Sequence, residues 1–347
     1  MPDANAPVAV TGGSGYLGSW VIEVLLSQGY TVHATVRDPS NAARVQHLRD
    51  LAEQRPGTLT LFAADLMKDG GFEAAFEGCA AVMHTASPFQ TAGIRDPQRM
   101  LVDPALRGTE RVLAAVDACP TVTRVVLTSS VAAMYSDADE LDETPEGVFT
   151  PSRWNTRSSL AHNPYSYSKT VAERRAWALC EQQDRWTMTT INPAFIVGPP
   201  LSGRRDSTSV NLIRMMAKGM MFAGAPDLTF GVVDVRDVAR AHLRALAADT
   251  DGARVILCRD AMGMLEIAAE IERAFPGTFR LPTRTLPKWI VWLFGPLQGA
   301  DRSFVKHNVG YKVAFDNSLS RSLGVEYTPP GDTFRDMIDA MRTQGLL

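Results

Sequence analysis

The sequence predicts an α/β protein with a doubly wound parallel sheet and a smaller, mostly helical second lobe. Short apolar runs rich in β-branched residues alternate with helical patterns from residue 7 to residue 191. A glycine-rich stretch, GGSGYLG, lies between the first such run and the first helical pattern. The regular alternation stops after Pro199-Pro200. Because a chain of 347 residues exceeds the size at which one core stops growing, we expect two lobes.

Seven apolar runs are predicted to be the strands of the sheet. Helical patterns separate them around residues 43–53, 72–76 and 104–118, and strands that alternate with helices imply parallel pairing. Ligands of such sheets bind at the carboxyl ends of the strands. The predicted strands are 7–11, 30–36, 59–63, 80–84, 123–128, 188–191 and 255–258. Residues 231–246 are predicted to form a further strand followed by a helix.

The first strand leads directly into a glycine motif. Gly13, Gly15 and Gly18 satisfy the G-x-G-x-x-G pattern, and Gly12 precedes them. Such glycines permit a tight turn and a close approach of the backbone to a pyrophosphate, which the following helix N-terminus attracts. The helical pattern continues to residue 28, and Gly29 is expected as its C-cap. A strand before the motif and a helix after it predict a Rossmann-type dinucleotide-binding unit.

Composition narrows the class of partner. The chain is 45% hydrophobic and 21% charged, with a net charge of -3 and no run of lysines or arginines. This argues against nucleic acid or an anionic membrane as partner and favours a small molecule. The four cysteines have no spacing typical of a metal site, so we expect no metal. We also expect no signal peptide, no membrane span, a cytoplasmic location and a monomer or homodimer.

Tyr165 and Lys169 form the most informative pair in the second half of the chain. They lie four residues apart in the segment 163–177, which begins with Asn and Pro and predicts a helix. Their side chains are therefore expected on one face. A lysine cation at this distance is expected to lower the tyrosine pKa toward neutrality, which would suit proton transfer. The alternative is a surface lysine beside a half-buried tyrosine.

The break in the alternation predicts how the chain is divided. Residues 1–198 and 229–260 are assigned to the dinucleotide-binding domain, because they carry the strand and helix alternation. Residues 199–228 and 261–347 are assigned to the substrate lobe, so the chain crosses between lobes more than once. The cleft between the two lobes is the expected substrate site.

Several motifs in order carry a resemblance to a known family. They are TGGSGYLGSW, TVRDP, HTASPF, VVLTSS, YSYSK, INPAFIVGP and DVRDVARAHL. The chain resembles the extended short-chain dehydrogenases/reductases, and within them the dihydroflavonol reductase, cinnamoyl-CoA reductase and yeast-type carbonyl reductase group. The resemblance spans nearly the whole chain.

The resemblance implies a catalytic set of Ser130, Tyr165 and Lys169. Ser130 would hydrogen-bond the substrate carbonyl, Tyr165 would donate the proton, and Lys169 would bind the nicotinamide ribose and lower the tyrosine pKa. Ser130 is preferred to Ser129 because the serine of the family is the last one before small apolar residues. The chemistry agrees, since hydride arriving at a carbonyl carbon develops negative charge on the oxygen.

The resemblance also implies NADP(H) as the cofactor and a set of residues that hold it. Residues 192–197 would contact the nicotinamide carboxamide, and the alternative for Asn192-Pro193 is a simple turn after the sixth strand. The cofactor set is Gly12, Gly15, Tyr16, Leu17, Arg37, Arg44, Asp65, Leu66, Ala86, Ser87, Ser129, Tyr165, Lys169, Pro193, Ile196 and Val197.

The end of the second strand predicts the choice of dinucleotide. NAD enzymes place a carboxylate there on the ribose 2′-hydroxyl, whereas this chain has Val36 followed by Arg37. Arg37 and Arg44 are expected to bind the 2′-phosphate of NADP. Asp38 is interpreted as the N-cap of the next helix. The alternative is that both arginines are merely solvated.

The sequence says less about the substrate. The predicted substrate residues are Phe89, Ser130, Tyr135 and Tyr165. The plant dihydroflavonol reductases have an asparagine where this chain has Tyr135, and the cinnamoyl-CoA reductase signature is replaced by Asn163-Pro164-Tyr165-Ser166. Met134, Trp154 and the methionines of residues 210–222 are further candidates for an apolar pocket, although methionines at helical spacing are more often core.

Three functions remain open at this point. The first is an NADPH-dependent reductase of a ketone or aldehyde with an apolar or aryl group. The second is an NAD-dependent nucleotide-sugar epimerase or dehydratase, which shares the fold and the Ser, Tyr and Lys set. The third is a non-catalytic NADP-binding regulator. His33 and His84 lie on strand patterns and are interpreted as packed or exposed at a strand end, and His162 lies just before the predicted catalytic helix.

Overall fold

A computed structural model of the protein describes residues 6–87, 94–204, 207–248, 250–298 and 301–347. The strands are β1 (Val8–Thr11), β2 (Thr31–Val36), β3 (Thr58–Ala63), β4 (Ala81–His84), β5 (Arg124–Thr128), β6 (Thr187–Pro193), β7 (Phe195–Val197), β8 (Ala225–Pro226), β9 (Thr229–Asp234), β10 (Arg254–Leu257), β11 (Asp260–Gly263) and β12 (Thr285–Leu286). The helices are α1 (Tyr16–Ser27), α2 (Ala42–Gln54), α3 (Phe72–Phe76), α4 (Asp103–Ala118), α5 (Pro164–Cys180), α6 (Thr208–Ala217), α7 (Val235–Ala247), α8 (Met264–Ala274), α9 (Lys288–Phe294), α10 (Arg302–Asn308), α11 (Ser318–Ser322) and α12 (Pro330–Thr343). Short 3-10 helices cover Val131–Ala133, Ala138–Glu143 and Gly295–Gln298, and a π-helical turn, Gln98–Val102, precedes α4.

Within the described residues, seven strands form one sheet in the order β10-β6-β5-β4-β1-β2-β3. Every neighbouring pair is parallel. The strand order grows outward from β1 in both directions, and the carboxyl ends of β1 and β4 flank the switch point where such sheets bind ligands. All seven predicted strands are members of this sheet. The predicted doubly wound parallel fold is confirmed.

Helices cover both faces of this sheet, and β1 shows how the sequence specifies them. Val8 and Val10 point to one face and Ala9 to the other, because successive side chains of a strand alternate. The two valines join a core made with α1, α2 and α7, whereas Ala9 joins a core made with α3, α4 and α5. Burial on both faces explains why the strands are apolar throughout and not alternating.

A third core builds the smaller lobe. It is formed by α6, α8 and α12 packed on a three-stranded sheet with the order β11-β9-β7. Strand β7 follows β6 after a single residue, and β11 spans position 260, so this small sheet draws on both of the predicted chain segments. The division at residues 198, 228 and 260 stays a prediction.

Candidate active site

The turn between β1 and α1 is shaped by its glycines. Gly12 has φ +70°, and a Cβ on it would lie 2.8 Å from the Cα of Ala86. A Cβ on Gly13 would lie 2.8 Å from Cδ1 of Ile22. Gly15 is the N-cap of α1, and its N–H donates to the Gly12 carbonyl at 2.8 Å. The glycines therefore leave backbone exposed in this turn at the helix N-terminus, which fits the close approach of a pyrophosphate.

Tyr16 and Leu17 form the first turn of α1 and fasten it to the second lobe. Leu17 is buried in the sheet core. The Tyr16 phenol donates to the Gly198 carbonyl at 2.7 Å. Burial raises the pKa of Tyr16 well above its ordinary value, and Asp234 adds to that rise. The phenol therefore stays protonated and remains a donor to the segment after β7.

The remaining sheet-edge residues of the predicted cofactor set follow β3 and β4. The Ala86 N–H donates to the Thr11 hydroxyl at 3.1 Å, which holds the end of β4 against the glycine turn. The Ser87 hydroxyl accepts from Nζ of Lys169 at 2.8 Å. Asp65 accepts from the Met67 N–H at 2.9 Å. Leu66 packs on α4, where a Cβ on Gly108 would lie 3.2 Å from its Cδ2.

Ser130, Tyr165 and Lys169 come together where β5 ends and α5 begins. Ser130 is the N-cap of the 3-10 turn after β5, and its hydroxyl accepts from the Ala132 N–H at 3.2 Å. Its side chain also hydrogen-bonds Tyr165. Nζ of Lys169 lies 5.8 Å from the centroid of the Tyr165 ring. One hydroxyl, one phenol and one amine thus share a single face at the edge of the sheet.

Asn163 sets the direction in which α5 leaves the preceding loop. It is the N-cap of the helix and has φ 50°, a left-handed conformation that asparagine tolerates better than most residues. Its side-chain amide donates to the Ser136 carbonyl at 2.7 Å, which fixes the helix start against the turn after β5. Because Pro164 occupies the first helical position, Tyr165 follows immediately in the first turn.

The prediction that Lys169 lowers the pKa of Tyr165 toward neutrality is wrong for the protein by itself. Burial raises the pKa of Tyr165 to about 12, although its hydrogen bond with Ser130 lowers that pKa. Burial lowers the pKa of Lys169 to about 8, while Glu173 acts to raise it. The sequence pattern shows the charge of the lysine. It does not show the desolvation of the two side chains, which has the larger effect on their pKa values here. A tyrosine with this pKa is protonated at neutral pH and is therefore a donor.

Ser129 faces away from this trio. Its hydroxyl donates a short hydrogen bond to the Glu173 carboxylate, and its backbone N–H donates to the Ile191 carbonyl at 2.8 Å. Ser129 is buried, whereas Ser130 is partly exposed at the edge of the sheet. Of the two serines, the structure brings Ser130 and not Ser129 to Tyr165.

Arg37 and Arg44 both lie exposed at the end of β2 and the start of α2. The interpretation of Asp38 as the N-cap of that helix is wrong, because α2 begins at Ala42 with Asn41 as its N-cap. The Asp38 carboxylate instead accepts from the N–H and the hydroxyl of Ser40, at 2.9 and 2.6 Å, and these bonds lower its pKa. A short Asx turn competes with capping at this position.

The segment after β6 is extended. Asn192 and Pro193 are buried residues of β6, so the interpretation of this pair as a simple turn is wrong. Ile196 and Val197 belong to β7, where Val197 is buried in the core of the second lobe and Ile196 packs on the sheet core. Parallel pairing with β5 carries β6 to the same sheet edge as the trio.

Residues 8–257 of the chain match the NAD dependent epimerase/dehydratase family. The chain belongs to this family. The match spans the whole seven-stranded sheet, from β1 to β10. The resemblance to extended short-chain dehydrogenases/reductases is therefore confirmed.

Two reductases and one solved structure are similar to this chain over almost its full length. Cinnamoyl-CoA reductase CAD2 of Medicago truncatula is 34% identical over 342 residues, which cover 96% of this chain and 95% of that protein. Tetraketide alpha-pyrone reductase 1 of Arabidopsis thaliana is 32% identical, with coverage of 100% and 98%. The crystal structure of Gre2 from Candida albicans in complex with NADPH superposes with a TM-score of 0.76 at 26% identity, with coverage of 97% and 99%.

Of the predicted substrate residues Phe89 and Tyr135, the structure describes only Tyr135. Phe89 lies outside the described residues. Tyr135 is stacked on Phe149, with ring centroids 4.5 Å apart, and meets Phe315 edge-on at 5.6 Å. Tyr135, which follows Ser130 by five positions, therefore belongs to an aromatic cluster with Phe149 and Phe315. Burial is the main cause that raises the pKa of its phenol above the ordinary value.

Other pocket candidates are mostly structural. Met134 is fully buried in the core. The helix predicted over residues 210–222 ends at Ala217, so the residues after it form a turn. Met216 packs in the core of the second lobe, whereas Met220 is 66% exposed. Trp154 lies under the guanidinium of Arg254, 3.8 Å from its ring centroid.

The histidines are engaged in packing or ion pairs. Nδ1 of His84 shares a hydrogen bond of 2.7 Å with the Thr11 hydroxyl, and burial followed by the charge of Lys169 lowers the pKa of His84 to about 3. His33 contacts the Ala75 carbonyl. Nε2 of His162 lies 2.5 Å from the buried Asp137 carboxylate. The His84 ring is therefore neutral at physiological pH and serves packing beside Lys169.

The described residues offer neither a membrane span nor a metal site. None of the helices among them is long and apolar enough to cross a membrane. The described His, Cys, Asp and Glu side chains form no group of three or more that could hold a metal ion.

Sequence reasoning missed the buried residue Glu173. Its signal in the sequence is an acidic residue one turn after Lys169 on the same helical face.

Proposed function

We propose that this protein is an NADPH-dependent reductase, which converts the carbonyl of a ketone or aldehyde with an apolar or aryl group into an alcohol. The observation that carries the proposal is the hydrogen-bonded pair of Ser130 and Tyr165, with Lys169 one turn away on the same helix. This trio lies at the sheet edge that also bears the glycine turn. The named reductases among the relatives support the same reaction type.

The residues of the trio divide the work of carbonyl reduction. Bound NADPH supplies the hydride. As negative charge develops on the carbonyl oxygen, the Ser130 hydroxyl donates a hydrogen bond to it. Tyr165 then gives its proton to that oxygen, and the nearby Lys169 ammonium stabilises the phenolate that remains. A phenol with a pKa raised to about 12 enters this step protonated.

The names of the relatives and an aromatic cluster that follows Ser130 support the proposed substrate class. The relatives are named for a cinnamoyl thioester and a tetraketide pyrone, and Gre2 is named in a complex with NADPH. Tyr135, Phe149 and Phe315 place aromatic rings next to the turn that carries Ser130. The test is to follow NADPH absorbance with aldehydes, diketones, β-ketoesters and aryl ketones. Turnover of none of these by protein that binds NADPH would favour the non-catalytic regulator.

The preference for NADPH is predicted to depend on Arg37 and Arg44. Arg37 is exposed just after β2 and Arg44 is exposed in the first turn of α2, and a charge-assisted bond to the 2′-phosphate contributes about 1.5 to 3 kcal/mol. Since about 1.4 kcal/mol is tenfold, replacing both by alanine should raise the dissociation constant of NADPH at least about tenfold. NADH binding should stay nearly unchanged. Fluorescence titration with both nucleotides measures the two constants.

A matched control for this titration is Arg49→Ala. Arg49 lies on the same helix and is exposed, but its guanidinium donates to the Pro39 carbonyl at 2.9 Å. Its loss should leave both dissociation constants unchanged. Equal or tighter binding of NADH by the wild-type protein would contradict the NADPH assignment and favour the NAD-dependent epimerase or dehydratase.

The pH profile is predicted to follow Lys169. Because burial lowers its pKa to about 8, the ammonium is lost as the pH rises through that value, while Tyr165 stays protonated. The kcat/KM for NADPH should thus be level below about pH 7 and fall about tenfold per pH unit above about pH 8. Measurement at saturating carbonyl gives this profile. A level profile up to about pH 10 would contradict the assigned role of the ammonium.

A further inference from the structure

Glu173 lies on α5 one turn after Lys169, with its side chain 1% exposed. Its Oε2 accepts from the Ser129 hydroxyl and from Nδ2 of Asn192 at 2.8 Å. Its Oε1 accepts from Nε of Arg254 at 2.5 Å. An ionised carboxylate accepts from all three groups, whereas an amide nitrogen in the place of Oε2 would meet the Nδ2 donor of Asn192 with no lone pair to offer. The proposed reaction assigns no role to this buried acid.

The carboxylate is connected to the catalytic serine through Asn192. Nδ2 of Asn192 donates both to Glu173 and to the Ser130 carbonyl, the latter at 3.2 Å. Oδ1 of Asn192 accepts from the Thr190 hydroxyl at 2.9 Å, which fixes which way the amide faces. Glu173 thus contacts the side chain of Ser129 directly and the carbonyl of Ser130 through Asn192, so the network reaches both residues from behind the hydroxyl.

Arg254 holds the carboxylate in turn. Its Nη1 donates to the carbonyls of Pro151 and Arg153, each at 2.6 Å, and its guanidinium lies 3.8 Å from the centroid of the Trp154 ring. The side chain is 9% exposed and comes from β10, at the edge of the sheet. These three contacts hold the Arg254 guanidinium in place beside Glu173, so the fold itself fixes the geometry of the ion pair.

We propose that Glu173, held by Arg254, is a positioning residue for the reaction, which keeps the Ser130 hydroxyl directed at Tyr165 and the substrate carbonyl. The inference rests on the proposed reductase function. The carboxylate reaches Ser130 through Ser129 and Asn192, and it also supplies the negative charge nearest to Lys169 along α5. Loss of the carboxylate removes the support behind the hydroxyl and a negative charge that acts on the ammonium from one turn along the helix.

Replacing Glu173 by glutamine tests the proposal. The amide places N–H groups against donors, so the turn at Ser130 relaxes and kcat should fall by about 10 to 10²-fold, as for other small misplacements of reacting groups. The KM for the carbonyl and the dissociation constant of NADPH should change by less than about threefold. The alkaline limb of the pH profile should move to lower pH, because Lys169 loses a neighbouring negative charge.

Glu181→Gln is the matched control, since Glu181 is the exposed C-cap of the same helix. It should leave kcat and the pH profile unchanged. A Glu173→Gln protein with a lower Tm but with wild-type kcat and pH profile would overturn the proposal, because the carboxylate would then serve stability alone.

A measurement without turnover separates this proposal from the proposed function. The chain has six lysines, so 13C labelling of lysine with Lys169→Arg as the assignment control resolves the Lys169 signal. Lys169 should titrate at lower pH in Glu173→Gln than in the wild type. An unchanged titration would overturn the proposal even if no carbonyl substrate is found. Absence of carbonyl reduction by the wild-type protein would count against the function only.

A second pair of variants covers the case in which Glu173→Gln does not fold. Arg254→Lys keeps the cation beside the carboxylate, whereas Arg254→Met removes the guanidinium that orients it. The methionine variant should lose about tenfold or more in kcat, and the lysine variant should recover most of the loss. Equal activity of the two variants would overturn the proposal.

Discussion

Replacing Tyr165 by phenylalanine is expected to lower turnover by about 10² to 10⁴ while NADPH affinity stays nearly constant. The phenol is buried, hydrogen-bonded to Ser130 and protonated at neutral pH, so its oxygen is a proton donor beside the serine. Phenylalanine keeps the ring and removes only that oxygen. A single-turnover assay with hydride transfer shown to be limiting measures the loss. Lys169→Ala, by contrast, should lower both turnover and NADPH affinity.

Tyr167→Phe provides the control for this experiment. Tyr167 lies on α5 two residues later, which turns its side chain to another side of the helix. The same loss of a hydroxyl there should leave turnover unchanged. If Tyr165→Phe retained more than about a tenth of wild-type turnover, the proton donor would have to be another group.

The fold was predictable because each strand carries a local signal. Buried parallel strands are short runs of apolar residues, and the turns between them carry glycine or polar residues, as at Gly12 and Ser130. The glycine turn was predictable for a similar reason, since Gly12 has φ +70°, a conformation that glycine adopts readily. Signals of this kind depend on neighbours in the chain and therefore appear in the sequence.

Features that depend on residues far apart in the chain were harder to predict from the sequence. The pKa of Tyr165 was misjudged because desolvation depends on how many segments bury the phenol, which spacing along one helix does not reveal. The Asp38 cap, by contrast, failed for a local reason, since Ser40, two residues later, bonds the same carboxylate. The role of Glu173 depends on Arg254, which lies 81 positions away on another element. A single sequence gives no signal for such a pair.

Replacing Ser130 by alanine is expected to lower turnover by about 10² to 10³, which corresponds to about 2.7 to 4 kcal/mol for one lost donor to a developing oxyanion. Ser129→Ala is the internal comparison, because it removes the same hydroxyl one residue earlier. Ser129 donates to Glu173, and that carboxylate keeps its bonds from Asn192 and Arg254 when Ser129 is lost. The loss for Ser129→Ala should thus be less than about tenfold.

The comparison is decided by kcat at saturating NADPH for both variants. Ser130 bonds Tyr165, whereas Ser129 is turned toward α5 and cannot reach the same oxygen without breaking its bond to the Glu173 carboxylate. The Ser130→Ala protein should keep its Tm, because its hydroxyl accepts only one weak bond, from the Ala132 N–H at 3.2 Å, besides the bond with the phenol. Equal losses of kcat for the two variants would show that the hydroxyl assigned to the substrate carbonyl has been chosen wrongly.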